Sequence, residues 1–132
     1  MEMITEIVDI LETNGLDANP KREGSTIVFR DIELFMCGDI RTMEIYLLDG
    51  LTSIHTKVYF DLINEKKKEK LELAILKYNS KNPYRFTIDS DGYLILNFLA
   101  KHVSTTKAVV ELEKFILTCL ANQSDIKKIV NF

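Results

Sequence analysis

The residues that could carry out chemistry are few in this sequence of 132 residues, and they are scattered along it. Nucleophilic catalysis needs a nucleophile beside a base that a third group orients, and the only histidines are His55 and His102. Neither histidine has a cysteine, histidine or carboxylate at a spacing typical of zinc ligands. We therefore predict that the chain is not an enzyme and that it carries no metal or other cofactor.

A second candidate for chemistry is Asp89-Ser90-Asp91-Gly92, which resembles the start of a calcium-binding loop. An EF-hand loop needs glycine at its sixth position and glutamate at its twelfth, but counting from Asp89 these positions hold Leu94 and Ala100. The calcium interpretation therefore fails. Gly92 can adopt positive φ and the acidic side chains can accept hydrogen bonds from nearby N–H groups, so the four residues predict a hairpin turn instead.

This turn joins the two strands of a hairpin predicted over 83–100, and both faces of its second strand are apolar. One face holds Leu94, Leu96, Phe98 and Ala100, and the other holds Tyr93, Ile95 and Leu99. An antiparallel strand with water on one side normally alternates apolar and polar residues. We therefore expect a helix, a second copy of the chain or a partner to cover the second face.

The other elements follow from hydrophobic periodicity. Apolar residues recur at helical spacing over 2–14, over 64–78 and from 104 onward, and the end of the chain (124–132) is typical of a short helical turn. Between 25 and 62 the period is two, which predicts strands over 27–30, 34–37, 41–48 and 54–62, with turns at 31–33, 38–39 and 49–50. The polar connector 16–24 leaves a short edge strand over 18–22 open.

This order of elements predicts an α+β fold in a single domain over 1–132. The elements are a helix, four antiparallel strands, a helix, a two-stranded hairpin and a helix, with the helices packed on a twisted antiparallel sheet.

Composition narrows the classes of partner. The net charge is −3 and the charges of both signs are interleaved, which excludes nucleic acid as the main partner because that binding needs a basic stripe. No apolar run approaches the roughly 20 residues of a membrane span, so no membrane is expected. Cys37 and Cys119 are far apart and form no CxxC pattern, so we expect reduced core residues in a cytoplasmic protein.

The segment 71–117 carries a resemblance to a known family. A helix that ends in an Asn-containing segment leads to a Phe-x-Ile-Asp-x-Asp-Gly-x-Leu hairpin and then to an apolar helix. The matching positions are Asn79, Phe86, Asp89, Gly92 and Leu94. In these features the chain resembles the YbjN-like bacterial sensory transduction regulators. The resemblance implies a fold like that of type III secretion chaperones, which are small, acidic and commonly dimeric and bind an extended segment of a partner protein.

Taken together, these observations predict a protein-interaction module, chaperone-like or regulatory, that forms a homodimer and binds a partner polypeptide through an apolar sheet face or edge. The residues expected at the partner or dimer interface are Tyr93, Ile95, Leu99, Tyr59 and Tyr46. The alternative is a sensory regulator that binds a small molecule in a cavity between sheet and helices. That cavity would be lined by polar groups such as Tyr46, Tyr78 or His55.

Overall fold

A computed structural model of the chain describes residues 2–48, 53–101 and 104–132. The described helices are α1 (Glu2–Thr13), α2 (Lys68–Lys81), α3 (Thr105–Ala121) and α4 (Ser124–Val130), with a single 3₁₀ turn (Glu65–Lys67) before α2. The described strands are β1 (Pro20–Glu23), β2 (Thr26–Met36), β3 (Asp39–Leu48), β4 (Ile54–Leu62), β5 (Arg85–Ile88) and β6 (Tyr93–Ala100). The predicted α+β order is therefore confirmed, and α4 occupies the segment where a helical turn was predicted.

The six described strands form one antiparallel sheet in the order β1-β2-β3-β4-β6-β5. The first four strands are neighbours in sequence and in space. The second strand of the hairpin, β6, pairs with β4, and this places β5 at the edge beside α2. The chain thus leaves the sheet through α2 after β4 and returns to it at the far edge.

One face of the sheet packs on the helices. Inward side chains such as Ile45 and Leu96 are completely buried and belong to one apolar cluster that includes residues of all four described helices, among them Phe115. The buried residues Val28 and Ile95 point to the opposite face and lie outside this cluster. We call that opposite face the open face, because no described helix covers it. Its central residues are Val28, Glu44, Tyr46, His55, Lys57, Tyr59, Ile95, Asn97 and Leu99.

One inward position is polar. Thr56 lies between Ile45 and Phe98 on the neighbouring strands and is completely buried, and its Oγ1 has no hydrogen-bond partner among the described residues. Burying an unpaired hydroxyl costs about 1–3 kcal/mol in mutational data. The methyl group of Thr56 fills its site, but the hydroxyl weakens the core.

The substitution Thr56→Val is therefore expected to raise the free energy of unfolding by about 1 kcal/mol, because it replaces the unpaired hydroxyl with a methyl group of similar size. Urea unfolding followed by circular dichroism measures the change. Thr56→Ser is the matched control, since it keeps the hydroxyl and removes the methyl group, and it should lower the stability. A less stable Val variant would mean that the hydroxyl makes a bond that the structure does not show.

The turn predicted at residues 31–33 is wrong. β2 runs without interruption from Thr26 to Met36, and the pairing with β3 shifts register between Phe29 and Ile32. Asp31 has a φ of 56°, a left-handed value that aspartate tolerates better than most residues. This β-bulge puts two exposed residues, Arg30 and Asp31, in succession into the strand, and buried and exposed residues alternate after it. Because β2 replaces two predicted strands, β1 is the fourth of the consecutive strands. It covers 20–23, close to the short edge strand at 18–22 that the sequence neither predicted nor excluded.

The β2–β3 connection is a two-residue turn. Its central residues, Cys37 and Gly38, have φ values of 52° and 82°, as a type I′ turn requires. The turn predicted at Asp49-Gly50 lies outside the described residues. Cys37 and Cys119 are both free and buried, as predicted.

Candidate interaction surface

The five residues predicted at an interface all lie on the open face. Cross-strand pairing places Tyr46 beside His55, and His55 beside Leu99. In the same way Tyr59 pairs with Ile95, and Leu62 pairs with Tyr93 near the opposite end of the face. Because antiparallel partners point to the same side of a sheet, Tyr46, Tyr59, Tyr93, Ile95 and Leu99 share one surface. The structure therefore brings together the residues that the sequence nominated.

These residues differ in how much contact area they offer. Leu99 is 58% exposed and Tyr93 is 41% exposed, and both lie toward the ends of the open face. Ile95 is only 6% exposed, although no helix lies over it, because it is flanked on the neighbouring strands by Tyr59 and Thr87. Ile95 therefore offers almost no area to a partner, whereas Leu99 and Tyr93 supply apolar area that a partner could cover.

A carboxylate that the sequence did not nominate organises the middle of the open face. Glu44 accepts hydrogen bonds from the phenol groups of Tyr59, at 2.8 Å, and Tyr46. Its other carboxylate oxygen lies 3.7 Å from Nε of Arg30, which in turn forms an ion pair with Glu23. The strict alternation of β3 put Glu44 on the same face as Tyr46, but its role depends on β2 and β4 as well. The pairing of β3 with both β2 and β4 created this network.

Burial and the shared carboxylate affect both phenols in the same direction. Partial burial raises the pKa of Tyr59 well above its ordinary value, and its hydrogen bond to Glu44 raises it further. The pKa of Tyr46 is raised by the same two causes in the same order. Both phenols therefore stay protonated near neutral pH and act as hydrogen-bond donors to Glu44.

The remaining polar groups of the open face also have contacts within the chain. His55 Nε2 lies 3.3 Å from the side-chain oxygen of Asn97, and the ammonium of Lys57 lies 5.5 Å from the centre of the Tyr46 ring. The Asn97 amide donates to the hydroxyl of Thr87 at 2.8 Å. We call Glu44, its partners Arg30, Tyr46 and Tyr59, and the His55–Asn97 pair the polar band of the open face. Each of these groups already has a partner within the chain.

A shallow depression of about 370 Å³ lies at one end of the open face. Its lining residues are Thr26, Tyr46, Leu48, Ser53, His55, Lys57, Leu99 and Lys101. Tyr78, the third residue expected in a ligand cavity, lies on the other side of the sheet, where its ring packs edge-on against Phe86 at 4.9 Å. The structure therefore brings Tyr46 and His55 together but not Tyr78, and the depression lies on the open face and not between sheet and helices.

The residues that carry the family resemblance hold the hairpin in place. The Asn79 side chain donates to the carbonyl of Phe86 at 3.0 Å and accepts from its N–H at 2.8 Å, so it satisfies the outer edge of β5. The Asp89 carboxylate accepts from the N–H groups of Asp91 and Tyr93, at 3.0 and 2.9 Å. Gly92 has a φ of 89°. These geometries assign a structural role to the side chains of Asn79 and Asp89 and to the backbone of Gly92.

Among the described residues, no three His, Cys, Asp or Glu side chains are grouped so that they could hold a metal ion. His102 lies outside the described residues. None of the helices in the described ranges is both long and apolar enough to cross a bilayer.

The comparisons with known proteins add no identification. The chain matches no protein-family model, and no curated protein has a matching sequence. The class of this protein is therefore defined by its fold and surface alone: a two-layer α+β protein with one face of its sheet open.

Proposed function

We propose that this chain is a non-enzymatic protein-interaction module whose open face binds a partner polypeptide, and that a second copy of the chain binds there to form a homodimer. The observation that carries the proposal is the coexistence on this one face of exposed Leu99 and Tyr93 with a polar band that is already paired. Apolar residues on a sheet face without helices are typical of interaction surfaces.

The energetics of the polar band support this use. Covering a charged group usually costs free energy because its water is lost. On the open face, Glu44 keeps its contacts with Tyr46, Tyr59 and Arg30 when the surface is covered, because all four groups belong to the same chain. A partner can therefore cover Glu44 without supplying a charge to match it, and the apolar residues provide the gain.

The finer predictions from sequence are part of this proposal. We place the module in the cytoplasm, in keeping with two buried and free cysteines, and we assign it no cofactor and neither nucleic acid nor membrane as partner. Whether it acts as a chaperone-like or a regulatory protein depends on the partner. The resemblance to YbjN-like regulators, with a chaperone-like fold, stays a prediction.

Substitution of an exposed leucine tests the proposal. Leu99→Asp puts a charge into the apolar part of the interface, so the variant is expected to dimerise at least about tenfold more weakly than the parent in sedimentation equilibrium. Leu73→Asp is the matched control, because Leu73 is similarly exposed, at 68%, but lies on α2. Equal weakening by both substitutions, or by neither, would contradict the proposal.

A small-molecule regulator is the second candidate, and the depression beside Tyr46 and His55 favours it. Lys57 and Lys101 give this depression positive charge, and Leu48 and Leu99 give it apolar walls, which together suit an anionic ligand with an apolar part. A thermal-shift screen of anionic metabolites tests this function, since any ligand that binds the folded state must raise the melting temperature. If no compound raises it, the ligand hypothesis fails.

A further inference from the structure

The outer edge of β2 is paired with another strand over its first part and unpaired over its second part. Over Thr26 to Phe29 it pairs with β1, but β1 provides no partner beyond Phe29. From Ile32 to Met36 the strand pairs with β3 only, on its inner side. In the described part of the chain, five residues of this strand therefore have a free edge.

The turn geometry shows which peptide groups face outward. In a two-residue hairpin the residues that flank the turn, here Met36 and Asp39, exchange hydrogen bonds with each other. Because the direction of the peptide groups alternates along a strand, Glu33 and Phe35 point their N–H and C=O groups away from β3. Within the described ranges these outward groups have no hydrogen-bond partner in the chain.

The two terminal strands of the sheet are protected, unlike this segment. At β5 the Asn79 side chain satisfies both peptide groups of Phe86. At the opposite side β1 is only four residues long, begins with Pro20 and is otherwise charged, features that discourage further pairing. The segment 32–36 has neither a side-chain cap on its peptide groups nor a proline, so it can accept an added strand.

The side chains around the free edge indicate the chemistry of that strand. Glu33 and Asp31 are exposed, and neither forms an ion pair with any described residue. Next to Glu33, the cross-strand pair Phe35 and Ile40 is 67% and 61% exposed, and both residues point to the open-face side. The edge thus combines unpaired peptide groups, negative charge and an apolar pair.

We propose that the outer edge of β2 over 32–36 binds an extended segment of a partner protein with basic residues at alternate positions, which adds to the sheet as a further strand. Peptide hydrogen bonds to Glu33 and Phe35 supply affinity, and the basic side chains are selected by Asp31 and Glu33. A second copy fits less well. Self-pairing centred on Leu34 would bring the Glu33 carboxylates of both copies to diagonal positions on one face, where like charges repel.

The edge of β2 is a second binding surface of the proposed interaction module, separate from the open face. The test uses the full ¹⁵N-labelled chain and a capped seven-residue peptide that alternates lysine and valine. On titration, the largest amide shifts are expected over 32–36, and the amides of Glu33 and Phe35 should exchange more slowly with water. A peptide that alternates glutamate and valine should bind at least about tenfold more weakly, and N-methylation of the lysine–valine peptide should weaken it similarly.

Two variants distinguish the contribution of the Phe35 backbone N–H to peptide binding from that of its side chain. Phe35→Ala and Phe35→Pro both remove the ring, but only proline removes the outward N–H, and it leaves the β2–β3 bonds intact. The proline variant should bind the lysine–valine peptide about tenfold more weakly than the alanine variant. Equal binding by the two folded variants, equal binding of the glutamate–valine peptide, or shifts centred on Tyr46 and Leu99 would overturn the proposal.

The oligomeric state of the two variants shows whether a second copy of the chain or a basic segment of another protein occupies this edge. A dimer that Phe35→Pro abolishes and Phe35→Ala preserves would show that a second copy occupies this edge, and the proposal of a basic segment would be overturned. Leu99→Asp should leave binding of the lysine–valine peptide unchanged, because Leu99 lies at the other end of the sheet from the β2–β3 turn. Failure of the open-face proposal would therefore appear in a different experiment from failure of this one.

Discussion

Replacing Phe115 with alanine is expected to lower the free energy of unfolding by about 3–5 kcal/mol, the usual effect of truncating a fully buried phenylalanine. Phe115 is completely buried and connects α3 to the sheet. Its ring stacks on Phe98 of β6 at 5.4 Å and meets Tyr84 edge-on at 4.8 Å. Alanine would leave a cavity between α3, β6 and the connection that precedes β5, and the surrounding structure would fill it only in part.

Chemical unfolding with urea measures this loss against two reference variants. Phe115→Leu keeps most of the volume and should lose much less, about 1.5 kcal/mol. Val110→Ala, on the exposed side of the same helix, should change stability by less than about 0.5 kcal/mol. If Phe115→Ala were no more harmful than Val110→Ala, α3 would not pack on the sheet as described.

The second large effect is expected at Arg41, whose guanidinium is buried at the end of the core. Its Nε and Nη2 donate to the carbonyls of Met36 and Cys37, at 3.2 and 3.1 Å, and its carbon atom Cζ lies 5.2 Å from the centre of the Phe60 ring. Arg41→Met keeps an apolar stem of similar length but removes both donors. We expect a loss of about 2–4 kcal/mol, because the two carbonyls lose their charged donors.

The third contact of Arg41 provides the control. Its Nη1 lies 3.1 Å from the Asp61 carboxylate, which is largely exposed. Since Asp61 is largely exposed, water can replace its contact with Arg41, and Asp61→Asn should cost less than Arg41→Met, about 1 kcal/mol, in the same unfolding experiment. Comparable losses for Arg41→Met and Asp61→Asn would mean that the ion pair, and not the carbonyl contacts, stabilises the turn.

Periodicity predicted those parts of the fold that depend on local pattern. The helical stripes and the two-residue alternation of β3, β4 and β6 identified the elements and divided Tyr93, Ile95 and Leu99 correctly from the inward face. Burial on one side of a strand imposes this pattern on the sequence, so it can be read without knowing what the strand contacts.

Features that depend on distant residues could not be predicted in this way. Asp31 within an apolar run resembles a turn, and only the pairing of Ile32 with Met43 shows that the strand continues past a bulge. Arg41 resembles an ordinary polar residue at the start of a strand, but the tight turn at Cys37 buries it against two carbonyls. Local sequence does not encode which strands become neighbours.

In the candidate surface, too, some features follow from local sequence pattern and others from the pairing of strands. That Tyr93, Ile95 and Leu99 share a face follows from alternation along β6 alone. That Tyr46 and Tyr59 join them depends on the register between β3, β4 and β6, and the network around Glu44 depends on β2 as well. Sequence thus predicted the apolar members of the surface, while the polar centre emerged from the assembled sheet.

The most direct test of the open face as an interaction surface is hydroxyl-radical footprinting of the unmodified chain at low and at high micromolar concentration. If a dimer forms through the open face, oxidation of Leu99 and Tyr93 falls as the concentration rises. Oxidation of Leu73 and Leu76, which are exposed on α2, should stay constant. Unchanged oxidation of Leu99 and Tyr93 at both concentrations, or protection of Leu73 and Leu76 in their place, would contradict the proposed dimer.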